Sequence, residues 1–267
     1  MKKRAVVYSS TLILLYSCYK VPISGRRQLN MIPETEMESM ALTSYGDFLT
    51  KNPHVPDTDP NTQMVKRVGA RISAAVEQYM KSNGYGSRID GYKWEFNLIR
   101  DDKTINAWCM PGGKVVVYTG LLPVTKNETA LAVVMGHEIA HAVARHGNER
   151  MSQGLIVQTG GLALSVALSQ KPGETQQVFN QAYNLGSTLG TLKYSRTHES
   201  EADKLGIVFM ALAGYDPNEA VAFWDRMAAA AKNNSPEILS THPSDETRIK
   251  DIKEFLPTAL KYYKKPS

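Results

Sequence analysis

Residues 127–143 read NETALAVVMGHEIAHAV, and from Ala130 on, His137, Glu138 and His141 interrupt an otherwise apolar run. Asn127 is an N-cap residue, and Ala130, Leu131, Val133, Val134, Ile139 and Ala140 give the segment the surround of a buried helix. On such a helix His137 and His141, four residues apart, stand one above the other, so both imidazoles reach a single Zn²⁺. Glu138 is turned by about 100° and sits beside the metal rather than on it. Zinc with three protein ligands keeps a fourth position for water and lowers the pKa of that water towards ~7. Glu138 is then placed to take the water's proton and pass it to a leaving amine. The bland alternative, a chance pair of surface histidines, is disfavoured because two His and a Glu are costly to bury here without a metal or hydrogen-bond partners.

The third ligand must come from elsewhere in the chain. Ala144 and Gly147 occupy the positions where the metzincin pattern has Gly and a third His. His146 is one residue out of register; projected along the same helix it points away from the His137 and His141 face, and it reads as a helix-end residue favoured by the negative pole. Downstream, Glu199-Ser200-Glu201-Ala202-Asp203 lies on a second helical segment, 195–212. Glu199 and Asp203 share a face at four apart, so Glu199 can bind the metal while Asp203 holds a ligating His by its second nitrogen. Glu201 is turned by roughly 200° from Glu199 and has no acidic partner one turn on, so Glu199 is the better ligand.

Outward from the two metal segments, apolar residues recur at helical spacing over 33–50 and 61–81, as in Val65, Val68, Ile72 and Val76, with Pro- and Asp-rich breakers between them. The period then changes. Trp94, Phe96 and Leu98 alternate with polar neighbours, and 104–110 and 114–119 flank the turn Pro111-Gly112-Gly113. A small antiparallel sheet beside the active helix is expected, followed by helices to the end: an α+β fold in which helix dominates. The charge-free stretch 154–168 is interrupted by Gln158 and rich in Gly, Ala and Ser, so it reads as a closely packed helix rather than a membrane span.

The chain begins with Lys2, Lys3 and Arg4, then a mostly apolar stretch over 5–17 that is too short to cross ~30 Å of hydrocarbon. Leu15-Tyr16-Ser17-Cys18 resembles the lipobox of bacterial lipoproteins, which implies a signal peptide over 1–17, lipid on Cys18 and a single mature domain over 18–267 held at a membrane surface. Cys109 then has no partner for a disulfide and reads as a buried strand residue. The net charge of +5 comes from 31 Lys and Arg against 26 Asp and Glu. Without the three N-terminal basic residues the balance is near +2 and no basic stripe remains, which argues against nucleic acid as a partner.

Taken together, Asn106-Ala107 to Leu122, Gly136 to His141, Glu199 to Asp203, and Thr241-His242-Pro243-Ser244 with Arg248 resemble the HtpX-like family of gluzincin peptidases, relatives of the CAAX prenyl endopeptidases, in the layout of its periplasmic BepA- and LoiP-type members. The resemblance implies a zincin-like domain with one zinc on His137, His141 and Glu199, Glu138 as general base and Asp203 behind a ligating His. It also implies that the strand carrying Asn106, Ala107 and Met110 borders the cleft and pairs with an extended polypeptide. His242, before Pro243, is expected to enter the cleft, either stabilising the oxyanion or covering the metal. Arg248 is expected to be solvated or structurally paired, and His54 and His198 to be structural. The membrane-spanning helices of HtpX and a tetratricopeptide-like extension are not expected here. The function implied is an endopeptidase of the bacterial cell envelope acting on exposed or misfolded proteins. The alternatives are a peptide-binding chaperone or assembly factor with little turnover, and a purely structural zinc site.

Overall fold

The computed structural model describes residues 18–159, 172–183, 194–233, 236–242 and 246–265. The expected leader at 1–17 lies outside them, as does most of the 154–168 stretch. Strands β1 (Cys18–Lys20) and β2 (Arg27–Leu29) form an antiparallel hairpin, followed by helices α1 (Glu34–Lys51) and α2 (Pro60–Ser82). Asp59 caps α2 by accepting from the Asn61 N–H, with Pro60 at the first helical position. The repeat Val65, Val68, Ile72, Val76 and Met80 gives α2 its buried face.

Three further strands, β3 (Glu95–Ile99), β4 (Ala107–Met110) and β5 (Lys114–Tyr118), make a sheet in the order β3-β5-β4. The β4–β5 hairpin is antiparallel as expected and turns through Gly112 and Gly113, both at φ +78°. The third strand differs from expectation: β3 runs parallel to β5, with Glu95 opposite Lys114 and Ile99 opposite Tyr118, so the sheet is mixed. β5 takes the middle because Lys114 to Val117 are all buried and need cover on both faces. The outer edge of β3 is closed by the chain at 53–55, where His54 bridges Ile99 and the Val55 N–H donates to the Leu98 carbonyl at 2.8 Å. His54 is thus a structural residue, as expected.

The sheet separates two cores. Phe96, Leu98, Ala107, Cys109, Val115 and Val117 pack with α2 and with α4 (Glu128–Val143), which follows the short α3 (Leu122–Thr125). Ile99, Met110 and Val116 face the other way, onto Met37, Ala41 and Tyr45 of α1. Asn127 caps α4, accepting from the Ala130 N–H at 2.8 Å, and every residue from Ala130 to Val143 is buried. Its C-terminal carbonyls at Val143 and Ala144 receive the buried Arg88 guanidinium at 3.2 and 3.0 Å. The remaining helices are α5 (His146–Thr159), α6 (Pro172–Ala182), α7 (Arg196–Leu212), α8 (Glu219–Asn233), α9 (Glu237–Thr241) and α10 (Glu246–Ala259). Among the described residues no helix is long and apolar enough to cross a membrane.

One helix contact positions the site. Gly136 of α4 faces Gly206 of α7, and a Cβ on either would meet backbone of the other helix within 2.8 Å. Without side chains there, the two helices approach closely enough for residues one and two turns from Gly206 to reach His137.

Candidate metal centre

The fold brings four expected residues together. One donor atom from each of His137, His141, Glu199 and His242 lies within 4.8 Å of the others, and all four residues are buried. His137 Nε2 is 3.1 Å from His141 Nε2 and 3.3 Å from His242 Nδ1. Glu199 reaches His141 Nε2 at 3.3 Å, His137 Nε2 at 3.5 Å and His242 Nδ1 at 3.0 Å.

These separations test the fit of a cation. Metal–ligand bonds of ~2.0–2.1 Å in a tetrahedron put the ligand atoms roughly 3.3 Å apart, which is the range observed. The chemistry agrees. His137 Nδ1 faces the acceptor Asp203 Oδ1 at 2.9 Å, so in the neutral ring the proton sits there and Nε2 is the bare nitrogen. Imidazole nitrogens and a carboxylate converging on one buried point form a donor set that a cation would bridge. The donor set suits zinc: three imidazoles and one carboxylate oxygen.

Around this cluster charge is arranged by burial and by specific partners. Burial presses the His137 imidazole down, but Asp203 and Glu199 more than offset it, raising its pKa to about 9 in the metal-free protein. Burial also opposes ionisation of Glu199, yet His242 and the two histidines of α4 hold its carboxyl well below the usual carboxylate range. For Glu138 burial prevails and raises the carboxyl despite nearby His242 and His137. Its Oε1 accepts no hydrogen bond and lies 3.7 Å from His242 Nε2.

Asp203 sits behind His137, where the sequence placed it. Arg248, expected to be solvated or structurally paired, is paired: it is buried and grips Asp203 with two bonds, Nη2 to Oδ1 at 2.6 Å and Nε to Oδ2 at 2.8 Å. It also lies 3.4 Å from Glu199 Oε2 and 3.3 Å above the Trp224 ring. No local periodicity signals this role; only its place in the motif set pointed to it.

His146 corrects the sequence reading. It does not point away but starts a new helix and lies 3.0 Å from His141 Nδ1, fully buried. Arg145, at φ +60°, breaks α4 from α5, so the helical projection that excluded His146 stops one residue before it. Glu201, which the sequence reading set aside as a ligand, meets His146 Nε2 at 3.2 Å. His198 has the structural role expected: it completes the Ser195 capping box of α7 and meets Glu149 at 3.0 Å. Tyr194 lies flat against the site, its ring centre 3.9 Å from that of His141 and 4.9 Å from that of His242.

Of the strand residues, Ala107 packs in the core it shares with α4 and Asn106, just before it, is buried, whereas the Met110 side chain packs in the core on the opposite face of the sheet. The Tyr118 N–H donates to the Asn106 carbonyl, so the main chain of Asn106, Trp108 and Met110 faces β5 while that of Ala107 and Cys109 faces the outer edge. Cys109 itself is buried in the strand, as expected.

With this geometry in hand, comparison with known proteins is specific. The family model for Peptidase family M48 matches residues 66–256. The chain is 37% identical over 244 residues to the mitochondrial metalloendopeptidase OMA1 of Schizosaccharomyces pombe, covering 90% of this chain and 66% of that protein. It is 31% identical over 257 residues to its Saccharomyces cerevisiae counterpart, covering 91% and 70%. The beta-barrel assembly-enhancing protease of Escherichia coli is 31% identical over 188 residues, covering 67% of this chain and 38% of the relative. The chain thus spans about two thirds of the two yeast relatives and a smaller share of the bacterial one.

Proposed function

The chain belongs to Peptidase family M48, and from that premise we propose that it is a zinc-dependent endopeptidase. The observation that carries the reading is the buried convergence of His137, His141 and Glu199 beside a Glu138 oxygen that accepts no hydrogen bond. Those three residues would hold a zinc ion, which would supply an acidified water and polarise a peptide carbonyl. Glu138, its carboxyl raised by burial, is placed to take a proton from that water and return it to the departing amine. Asp203 and Arg248 hold His137 in the tautomer that leaves Nε2 bare.

His242 completes a four-donor set, and a closed set leaves no room for water. Its Nδ1 lies among the metal donors, which supports the covering role over the oxyanion role. Catalysis then requires His242 to withdraw. It is the donor best able to do so: it follows a five-residue helix, whereas the others sit within helices of 16 and 17 residues. Substrate is an extended polypeptide laid along the outer edge of β4, where Cys109 and the Ala107 carbonyl offer main-chain groups, the Ala107 N–H being taken by Asn106 Oδ1 at 2.9 Å. A setting in the bacterial envelope, with Cys18 lipidated, is supported by the lipobox-like 15–18 and by the likeness to the beta-barrel assembly-enhancing protease of E. coli; the OMA1 relatives are mitochondrial. Quality control of exposed or misfolded envelope proteins fits a site that reads main chain more than side chains. A holdase would have no use for a base at Glu138, which favours turnover over mere binding.

The test compares cleavage of an unfolded protein by wild type and by Glu138→Gln, with zinc measured in both. Removal of the base should lower turnover by roughly 10²–10⁴-fold while zinc content is kept. Equal cleavage with equal zinc would sink the mechanism.

A further inference from the structure

The support behind His141 is a chain of buried side chains. His141 Nδ1 lies 3.0 Å from His146 Nδ1, and His146 Nε2 lies 3.2 Å from Glu201 Oε2. All three residues are buried. An ionised carboxylate can only accept, so the His146 nitrogen that faces Glu201 carries a proton. In a neutral ring the other nitrogen, Nδ1, is then bare. The proton between the two Nδ1 atoms must therefore come from His141, and a His141 protonated at Nδ1 has an unprotonated Nε2. That Nε2 is the atom lying among the metal donors. The reverse arrangement, with His146 donating, would leave His141 with an Nε2–H that no cation can use.

We propose that His146 and Glu201 are positioning residues for His141, the carboxylate acting through the intervening imidazole to fix the ring and tautomer in which His141 binds metal. The inference rests on the metal-site reading given above and adds residues to it. His198 stacks on His146 with ring centres 4.6 Å apart and planes 25° apart, which restrains the intervening ring.

The relay has an anchor in the N-terminal hairpin. Ser24, in the loop between β1 and β2, donates to Glu201 Oε1 at 2.5 Å, and Arg26 Nε lies 3.0 and 2.9 Å from the two Glu201 oxygens. The other nitrogens of Arg26 donate to Glu149 at 2.8 and 2.7 Å. The loop that follows Cys18 by a few residues thus connects, through Glu201 and His146, to a metal-binding nitrogen.

The test uses the full chain and two variants. His146→Leu removes the acceptor, whereas His146→Asn returns an amide oxygen close to the position of Nδ1. Zinc affinity is read by competition with a chromophoric chelator, ligand geometry by the absorption spectrum of the cobalt(II)-substituted protein, and folding by the Tm of the metal-free protein. His146→Leu should bind zinc roughly 10–100-fold more weakly, with an altered cobalt spectrum. His146→Asn should recover most of that loss, and the two metal-free variants should melt together. Wild-type affinity in His146→Leu overturns the proposal, and so does a His146→Asn protein as weak as His146→Leu. If His146→Leu does not fold, Arg26→Met takes its place: weaker zinc binding supports the relay, and unchanged affinity with an unchanged cobalt spectrum overturns it. A wild type that binds no zinc fails the metal-site reading itself, which the same titration shows separately.

Discussion

His137 and His141 stand on one face of one helix, but they are held from behind in different ways. Behind His137 a carboxylate makes direct contact, Asp203 at 2.9 Å, backed by Arg248. Behind His141 an imidazole comes first and the carboxylate second, Glu201 through His146, backed by Arg26. Both supports end on an arginine–carboxylate pair, yet their electrostatic result is opposite. Burial lowers both rings. At His137 the adjacent Asp203 and Glu199 reverse the effect and bring the pKa to about 9, whereas His141 stays well below the usual value despite Glu199. A carboxylate in contact with a ligand nitrogen sets charge as well as orientation, while one behind an imidazole leaves the charge to burial. If His137 binds metal as proposed, that binding displaces a proton, which makes it the pH-sensitive half of the pair.

The contrast is tested most severely on the His137 side. Asp203→Ala removes a buried acceptor from His137 and two charge-assisted bonds from a buried guanidinium. Breaking one partner of such a pair costs about 3–5 kcal/mol. Chemical unfolding of the metal-free protein should show that loss, with zinc affinity falling as well. A loss under ~1 kcal/mol would mean that Arg248 is satisfied without Asp203.

Gly206→Ala acts on both supports at once, because Glu199, Glu201 and Asp203 all ride on α7. The new Cβ would meet the His137 backbone nitrogen at 2.7 Å, a contact that only separation of the helices relieves. Overpacking of this kind costs typically ~1–3 kcal/mol. Zinc affinity is expected to fall further than that stability loss would suggest, because the donors are drawn apart. Retained zinc affinity, measured by chelator competition, would show that α4 and α7 need not touch at this point.

Much of this arrangement was legible before any coordinates. The apolar surround of His137 and His141 announces a buried helix, and the four-residue spacing of Glu199 and Asp203 puts one beside the two imidazoles and the other behind His137. What escaped sequence reasoning has a physical cause in each case. Alternation in 94–98 reports which side of a strand is buried but not its direction, so the parallel pairing of β3 was not readable. His146 was misplaced because the helix phase breaks at Arg145. Arg248 lies 45 residues from Asp203, beyond the reach of any helical or strand period. Arg26 is farther still from its partners, 123 residues from Glu149 and 175 from Glu201.

Glu149 provides the mildest test, on the His141 side. Burial pushes its carboxyl up, but Arg26 and His198 more than offset this and hold it well below the ordinary range. A carboxyl with a depressed folded pKa contributes stability that is present above its unfolded value, ~4.3, and is lost as pH falls through the folded value. The metal-free wild type should therefore lose stability as the pH drops below ~4.3, and Glu149→Gln should make that limb shallower. Urea midpoints measured from about pH 5 to pH 3 would read the difference, with the gap between the two proteins narrowing as the pH falls. Zinc affinity at neutral pH should change little, because Arg26 still reaches Glu201 through Nε. Should Glu149→Gln weaken zinc as much as His146→Leu does, the clamp on Arg26 would count for as much as the imidazole in contact with His141, and the support behind that ligand would extend one side chain further than Glu201.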